Sequence, residues 1–170
     1  MARIVPLKEI QFGIELVSKL DDLNFVVVGP IEDNAYYDKL RQYALNLNVA
    51  ERVIFTGSVS FEAKISILRS AQFYLFNNRE GFGVATLEAM AQGLPVIGLD
   101  YDAYDDFLDD SNSLRFKTLD EAVEKANVLI SDREMAQSLG KAGMMKVKKE
   151  FSFEHVMDQI ESTYREALGL

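Results

Sequence analysis

Two carboxylates, Glu80 and Glu88, interrupt a run that is otherwise small, apolar and glycine-rich, from Arg79 through EGFGVATLEAMAQGLPVIGLD to Tyr101. Between Gly81 and Leu99 the only polar side chains are Thr86, Glu88 and Gln92. Such a segment is expected to be buried, and a carboxylate there costs free energy unless a partner holds it. Gly81 and Gly83 permit a tight backbone path. Val84, Leu87, Met90 and Ala91 then follow at the spacing of a helix's inner face, which predicts a helix starting near Gly83. A helix opening straight out of a glycine turn presents unpaired N–H groups and the positive end of its dipole, and both suit a phosphate. Gly93 and Pro95 close it. Residues 95–99 have the length and composition of a buried parallel strand, which completes a loop, helix and strand with the site at the helix start.

The elements that must position this site alternate along the chain. Strand patterns occur at 3–5, 24–28, 52–55, 73–76, 95–99 and 113–116, with helical patterns between them at about 8–20, 35–47, 61–70, 83–92 and 103–108. Each helical stretch is a crossover connection between parallel strands. The order predicts an α/β fold, a Rossmann-like doubly wound parallel sheet of about six strands. After Phe116 only helical patterns follow, at 118–130, 132–149 and 153–168, the last capped by Ser152. These are expected to pack around the sheet.

In such sheets a ligand sits outside the carboxyl ends of the strands. Gly29-Pro30, Thr56-Gly57-Ser58-Val59 and the stretch from Asn77 to Gly83 are therefore expected to line one crevice. Arg3 and Lys8, cations near the first strand and turn, are placed to meet a diphosphate over the same edge. The bland competitors are solvated surface charges for Arg3 and Lys8, and an ordinary helix ion pair for Glu88.

The 170 residues, 48% hydrophobic and 26% charged, suit a single domain with a real core. No repeat, low-complexity tract or linker divides them. The absence of cysteine excludes a disulfide framework and a thiolate metal site, and fits a reducing cytosol. No run has the length and polarity of a transmembrane helix or a signal peptide. A net charge of -9 without a clustered basic patch argues against nucleic acid or anionic lipid as a partner.

These residues together resemble the C-terminal half of family 4 glycosyltransferases, the glycosyl transferases group 1, retaining enzymes with the two-domain GT-B architecture. Arg3-IVPL-Lys8 looks like the family's Arg-x4-Lys element. Val26-Val-Val-Gly29 and Val53-Ile-Phe-Thr-Gly-Ser-Val59 continue the likeness. Glu80-GFGVATL-Glu88-AMAQG-Leu-Pro95-Val is similar to its two-glutamate signature, and Phe151-Ser152-Phe153 to the entry of its last helix. Glu9 stands where a glycine usually follows the lysine.

The resemblance implies that Arg3 and Lys8 grip a donor diphosphate and stabilise the charge that grows on it as the sugar departs. It places Glu80 against the donor sugar's hydroxyls, Glu88 on the ribose hydroxyls, and the backbone near Gly81, Phe82, Gly83 and Val84 at the phosphates. Val59 and Lys64 match positions that contact base and ribose. Also implied are a UDP- or GDP-linked donor, no cofactor and no metal. Residues 1–170 would be one nucleotide-sugar-binding domain, inactive alone, whose partner is an N-terminal acceptor-binding domain absent from this chain. The expected location is cytoplasmic, with any membrane association carried by that other half. A non-catalytic nucleotide-binding module partnering a separate N-terminal half is the alternative. Asp100-Tyr101-Asp102 has the Asp-x-Asp form used by metal-dependent glycosyltransferases of the other major fold, and reads here as a solvated acidic loop. His155, the only histidine, reads as a solvated or capping residue.

Overall fold

The computed structural model describes residues 1–79 and 83–169. Among them, a 3-10 turn at Pro6–Lys8 leads into α1 (Ile10–Ser18), followed by β1 (Phe25–Val28), α2 (Asn34–Asn46), β2 (Val53–Gly57) and α3 (Phe61–Ser70). Then come β3 (Tyr74–Phe76), α4 (Val84–Ala91), β4 (Val96–Leu99), β5 (Ser113–Phe116), α5 (Leu119–Ser131), α6 (Arg133–Glu150) and α7 (Phe153–Leu168). Short acceptor side chains fix several helix starts: Asp33, Ser60, Thr118, Asp132 and Ser152 each accept from the backbone N–H three residues on, satisfying a donor the helix leaves open.

All strand pairs are parallel, as expected, but they form two sheets, β1-β2 and β3-β4-β5. The expected first strand at 3–5 is not one. Among the described residues its one ladder contact is a parallel bridge between Ile4 and Ile31, supported by bonds from Ala2 N–H to the Val28 carbonyl and from Ile4 N–H to the Pro30 carbonyl, each 2.9 Å. Val5 stays extended, and the chain turns at Pro6, which lacks an N–H and has its φ set for a turn, so the backbone pairing is confined to residues 2–4.

The helical pattern at 103–108 reduces to a 3-10 turn at Asp102–Tyr104. Tyr104, Phe107 and Leu108 are all fully buried, packed with Phe76, Met90 and Val96, at the i, i+3, i+4 spacing that made the stretch read as a helix. The last helix also departs from expectation. α5 and α6 cover β4 and β5 through Ala122, Ala126, Leu129 and Leu139, whereas α7 buries none of its residues. It projects Phe153, Met157, Ile160, Tyr164 and Leu168 outward.

The loop after β4 is pinned to α6. Lys146 Nζ lies 2.9 Å from Asp109 Oδ2. Burial pushes the Asp109 carboxyl up, but hydrogen bonds from Ser111 and the Lys146 ammonium outweigh it and bring it down to about 2. A depressed carboxyl contributes stability that is complete above its unfolded value and is lost as pH falls from about 4 to about 2. Thermal unfolding of wild type and Asp109→Asn should therefore differ at about pH 5 and converge near pH 2. A gap that stays constant across this range would show that the carboxylate is not the group responsible.

Candidate functional site

α4 opens at Gly83, which offers no side-chain cap. The N–H groups of Thr86 and Leu87 both return to the Gly83 carbonyl at 2.9 and 3.0 Å. This leaves the amides of Val84 and Ala85 without a carbonyl inside the helix. A Cβ at Gly83 would lie 3.0 Å from both the Phe76 ring and Thr86 Oγ1, so a side chain there fits only if the ring and the hydroxyl give way. The Thr86 hydroxyl beneath it is fully buried and has no hydrogen-bond partner among the described residues. An unmade bond there is costly, and it lies at the one helix start that the sequence singled out.

The inner face of α4 is Thr86, Ala89 and Met90, not the expected set that includes Val84 and Ala91. Val84 is 59% exposed. The helix is rotated because α6 presses on it at Met90, opposite Gly143. Glu88 consequently faces α3, where Lys64 Nζ meets its Oε1 at 2.6 Å, with side chains 35% and 23% exposed. The partner a carboxylate in this run required is thus another of the sequence's candidates. One lysine contact leaves most acceptor positions of the carboxylate open to ligand hydroxyls.

Lys8 lines one cavity with Asn77, Asn78, Gly83 and Thr86. Asn77 Nδ2 donates to the Glu9 carbonyl at 3.0 Å, which ties the Lys8 turn to the loop after β3. Glu9 itself takes φ 46°, ψ 40°, the left-handed region in which glycine is at ease, and this gives the usual glycine at that position a physical reason. Glu9→Gly is expected to stabilise the chain by about 1 kcal/mol, read as a denaturation midpoint about 2–4 °C higher. A lower midpoint would mean that the Glu9 side chain contributes more than its backbone costs.

The other candidates are placed less centrally. Arg3 is paired with Glu32 at 3.1 Å, both well exposed, and is not among the residues lining the Lys8 cavity. Val59 is half-buried in the loop between β2 and α3. Two of the three expected crevice loops do meet, since Gly29 N–H donates to the Gly57 carbonyl at 3.0 Å. A Cβ at Gly29 would lie 2.1 Å from the Ala2 carbonyl oxygen, so glycine is required there for a close approach of backbone. Glu80, Gly81 and Phe82 lie outside the described residues.

Sequence reasoning missed the supports of this site. The Tyr104 hydroxyl donates to the Asn78 carbonyl, and the Arg79 guanidinium lies 5.8 Å from the centre of the Tyr101 ring. A signal was present in two tyrosines set within an otherwise acidic loop. Asp100, the first acid of the Asp-x-Asp pattern, is held by Arg115 at 2.9 Å and Lys117 at 3.3 Å. No group of three or more potential metal-ligating side chains occurs among the described residues. No helix among them is long and apolar enough to cross a membrane.

Comparison with known proteins gives this geometry a context. The family described as glycosyl transferases group 1 has a model that matches residues 1–145. A lipopolysaccharide core biosynthesis mannosyltransferase, LpcC of Rhizobium leguminosarum bv. viciae, is 29% identical over 161 residues, covering 92% of this chain and 46% of that protein. The C-terminal domain of a glycosyl transferase group 1 family protein (LpcC) from Francisella tularensis superposes with a TM-score of 0.75 at 26% identity, covering 90% of this chain and 84% of that one. Anabaena Alr3699/HepE, crystallised with UDP, shares the fold with a TM-score of 0.87 at 19% identity over 98% of this chain and 47% of its own. The chain spans about half the length of the curated relatives it matches.

Proposed function

Because this chain belongs to the glycosyl transferases group 1 family, we propose that it is the donor-binding half of a retaining, two-domain GT-B hexosyltransferase. The observation that carries the reading is the Lys64–Glu88 pair on the helix whose open start, at Gly83, shares a cavity with Lys8.

In this reading residues 1–170 act as one nucleotide-sugar-binding domain and pair with an N-terminal acceptor-binding domain in the cytoplasm. The amides of Gly83 and Val84 and the Lys8 ammonium hold the diphosphate of a UDP- or GDP-linked sugar. Glu88 accepts from the ribose hydroxyls, Lys64 fixes that carboxylate, and Val59 borders the base. Glu80 faces the sugar's hydroxyls. As the bond between sugar and diphosphate breaks, negative charge grows on the leaving group, and Lys8 with the helix start stabilises it without a metal. Arg3 joins them on leaving Glu32. The acceptor is a glycan or lipid-linked sugar bound by the other half, and the product belongs to polysaccharide or glycoconjugate synthesis, as the mannosyltransferase relative's name suggests for that protein.

The test uses the full two-domain protein. Sugar transfer from a UDP- or GDP-sugar should persist in chelator, and NMR of the first-formed product should show the donor's anomeric configuration. An inverted product, or activity abolished by chelator and restored by a divalent ion, would overturn the retaining, metal-free mechanism.

A further inference from the structure

α3 and α4 run side by side in the same direction. Lys64 of α3 meets Glu88 of α4 at 2.6 Å, and about one turn further along both helices Arg69 Nε donates to Gln92 Oε1 at 2.9 Å. The first residue of α3, Phe61, therefore lies at the same end of the pair as Gly83 and the open start of α4. Ser60 sets that position, since its Oγ accepts from the Ala63 N–H at 3.2 Å and starts the helix at Phe61.

Phe61 is 65% exposed, and among the described residues it joins no core cluster and pairs with no other ring. A lone apolar residue on a surface calls for no explanation. Phe61 differs in its partner. The Lys64 ammonium lies 5.1 Å from the centre of its ring, within the range of a cation on a π-face. One lysine thus holds both the ring and the Glu88 carboxylate. It occupies one face of the ring and leaves the other open.

We infer that Phe61 is the platform on which the base of the donor nucleotide stacks, an inference that rests on the proposal that Glu88 holds the ribose. Base and hydroxyls are attached to the same five-membered ring, so a ribose on Glu88 delivers its base to the neighbourhood of Phe61. Every base has a flat π-face, and an exposed aromatic ring complements it whatever hydrogen-bonding groups line the base's edge. Val59, half-buried two residues before Phe61, borders that edge. Because Lys64 touches ring and carboxylate alike, it keeps the base contact and the ribose contact in fixed relation. Phe61 thereby gives the site its selectivity for a nucleoside diphosphate over a bare diphosphate, which the Lys8 ammonium and the helix start would hold equally well.

The chain contains no tryptophan, so Phe61→Trp introduces a single indole whose fluorescence reports what lies on it. The probes are UDP, GDP, ADP and inorganic pyrophosphate, each titrated without divalent metal into wild type, Phe61→Trp and Phe61→Leu, with affinities read by calorimetry. At least one nucleoside diphosphate should quench the Phe61→Trp fluorescence saturably while pyrophosphate leaves it unchanged. For that nucleotide Phe61→Leu should lose about fivefold to a hundredfold in affinity, the worth of stacking one base, and Phe61→Trp should bind as wild type does. Pyrophosphate affinity should be the same in all three proteins. Equal nucleotide affinity in wild type and Phe61→Leu, or binding without quenching, would overturn the inference and leave the donor site standing. A matching loss of pyrophosphate affinity in Phe61→Leu would also overturn it, by making Phe61 a support of the site and not a contact of the base. Binding of none of the nucleotides by wild type would overturn the donor reading and this inference together.

Discussion

Replacing Gly140 with alanine is expected to lower stability by roughly 2–3 kcal/mol, a midpoint drop of about 5–10 °C for a chain of this size. Glycine-to-alanine inside a helix ordinarily stabilises by up to about 1 kcal/mol, so even the sign is diagnostic. At Gly140 the added Cβ would sit 2.0 Å from the Gly93 carbonyl oxygen. That atom belongs to backbone and cannot rotate away. Relief requires α6 to move off the turn between α4 and β4, and Gly143 with it off Met90. Gly93→Ala is the control: its Cβ meets nothing within 4 Å, but its φ of +74° strains any other residue by about 1 kcal/mol. Chemical denaturation of both variants should rank Gly140→Ala as the more damaging. A neutral or stabilised Gly140→Ala would show that α6 does not press on α4, and the account of why Glu88 faces Lys64 would fail with it.

Glu88→Ala is expected to weaken nucleoside diphosphate binding about tenfold to a hundredfold, the loss of hydrogen bonds to a charged acceptor, worth about 1.5–3 kcal/mol. Stability should change by less than about 1 kcal/mol, since the pair with Lys64 is partly open to solvent. The contrast between a large binding loss and a small folding loss separates a ligand contact from a structural ion pair. Lys64→Met should fall between, because it frees Glu88 while removing the group that orients it. Calorimetry on the three proteins reads both quantities. Unchanged affinity in Glu88→Ala would reduce the pair to surface electrostatics.

What the sequence made legible was local. Gly83 opens α4, Ser152 caps α7 and residues 95–99 hold a parallel strand, because capping, turn geometry and hydrophobic run length are set by near neighbours. The Glu88 partner was legible in type, as a buried acid's need for a cation, but only the resemblance pointed to Lys64. What escaped is tertiary. The rotation of α4 depends on where Gly143 of α6 presses on Met90, and the Asn77–Glu9 bond joins residues 68 apart in sequence. The expected strand at 3–5 has the extended path its residues predict but pairs through a single bridge, Ile4 to Ile31, and pairing is a long-range property that a local pattern does not carry. α7 kept the apolar periodicity of a packed helix while packing against little, since periodicity reports which face is apolar and not what covers it.

The central claim, that the start of α4 with Lys8, Lys64 and Glu88 is a nucleoside diphosphate site, is most directly tested by NMR titration of this chain with UDP, GDP and ADP in the absence of divalent metal. The account predicts saturable shifts at Lys8, Lys64 and residues 83–88, with one base preferred over the other two. No shift from any of them at about 1 mM, where a binding free energy near 4 kcal/mol already half-saturates a site, would contradict it. So would shifts that require magnesium and gather at Asp100 and Asp102.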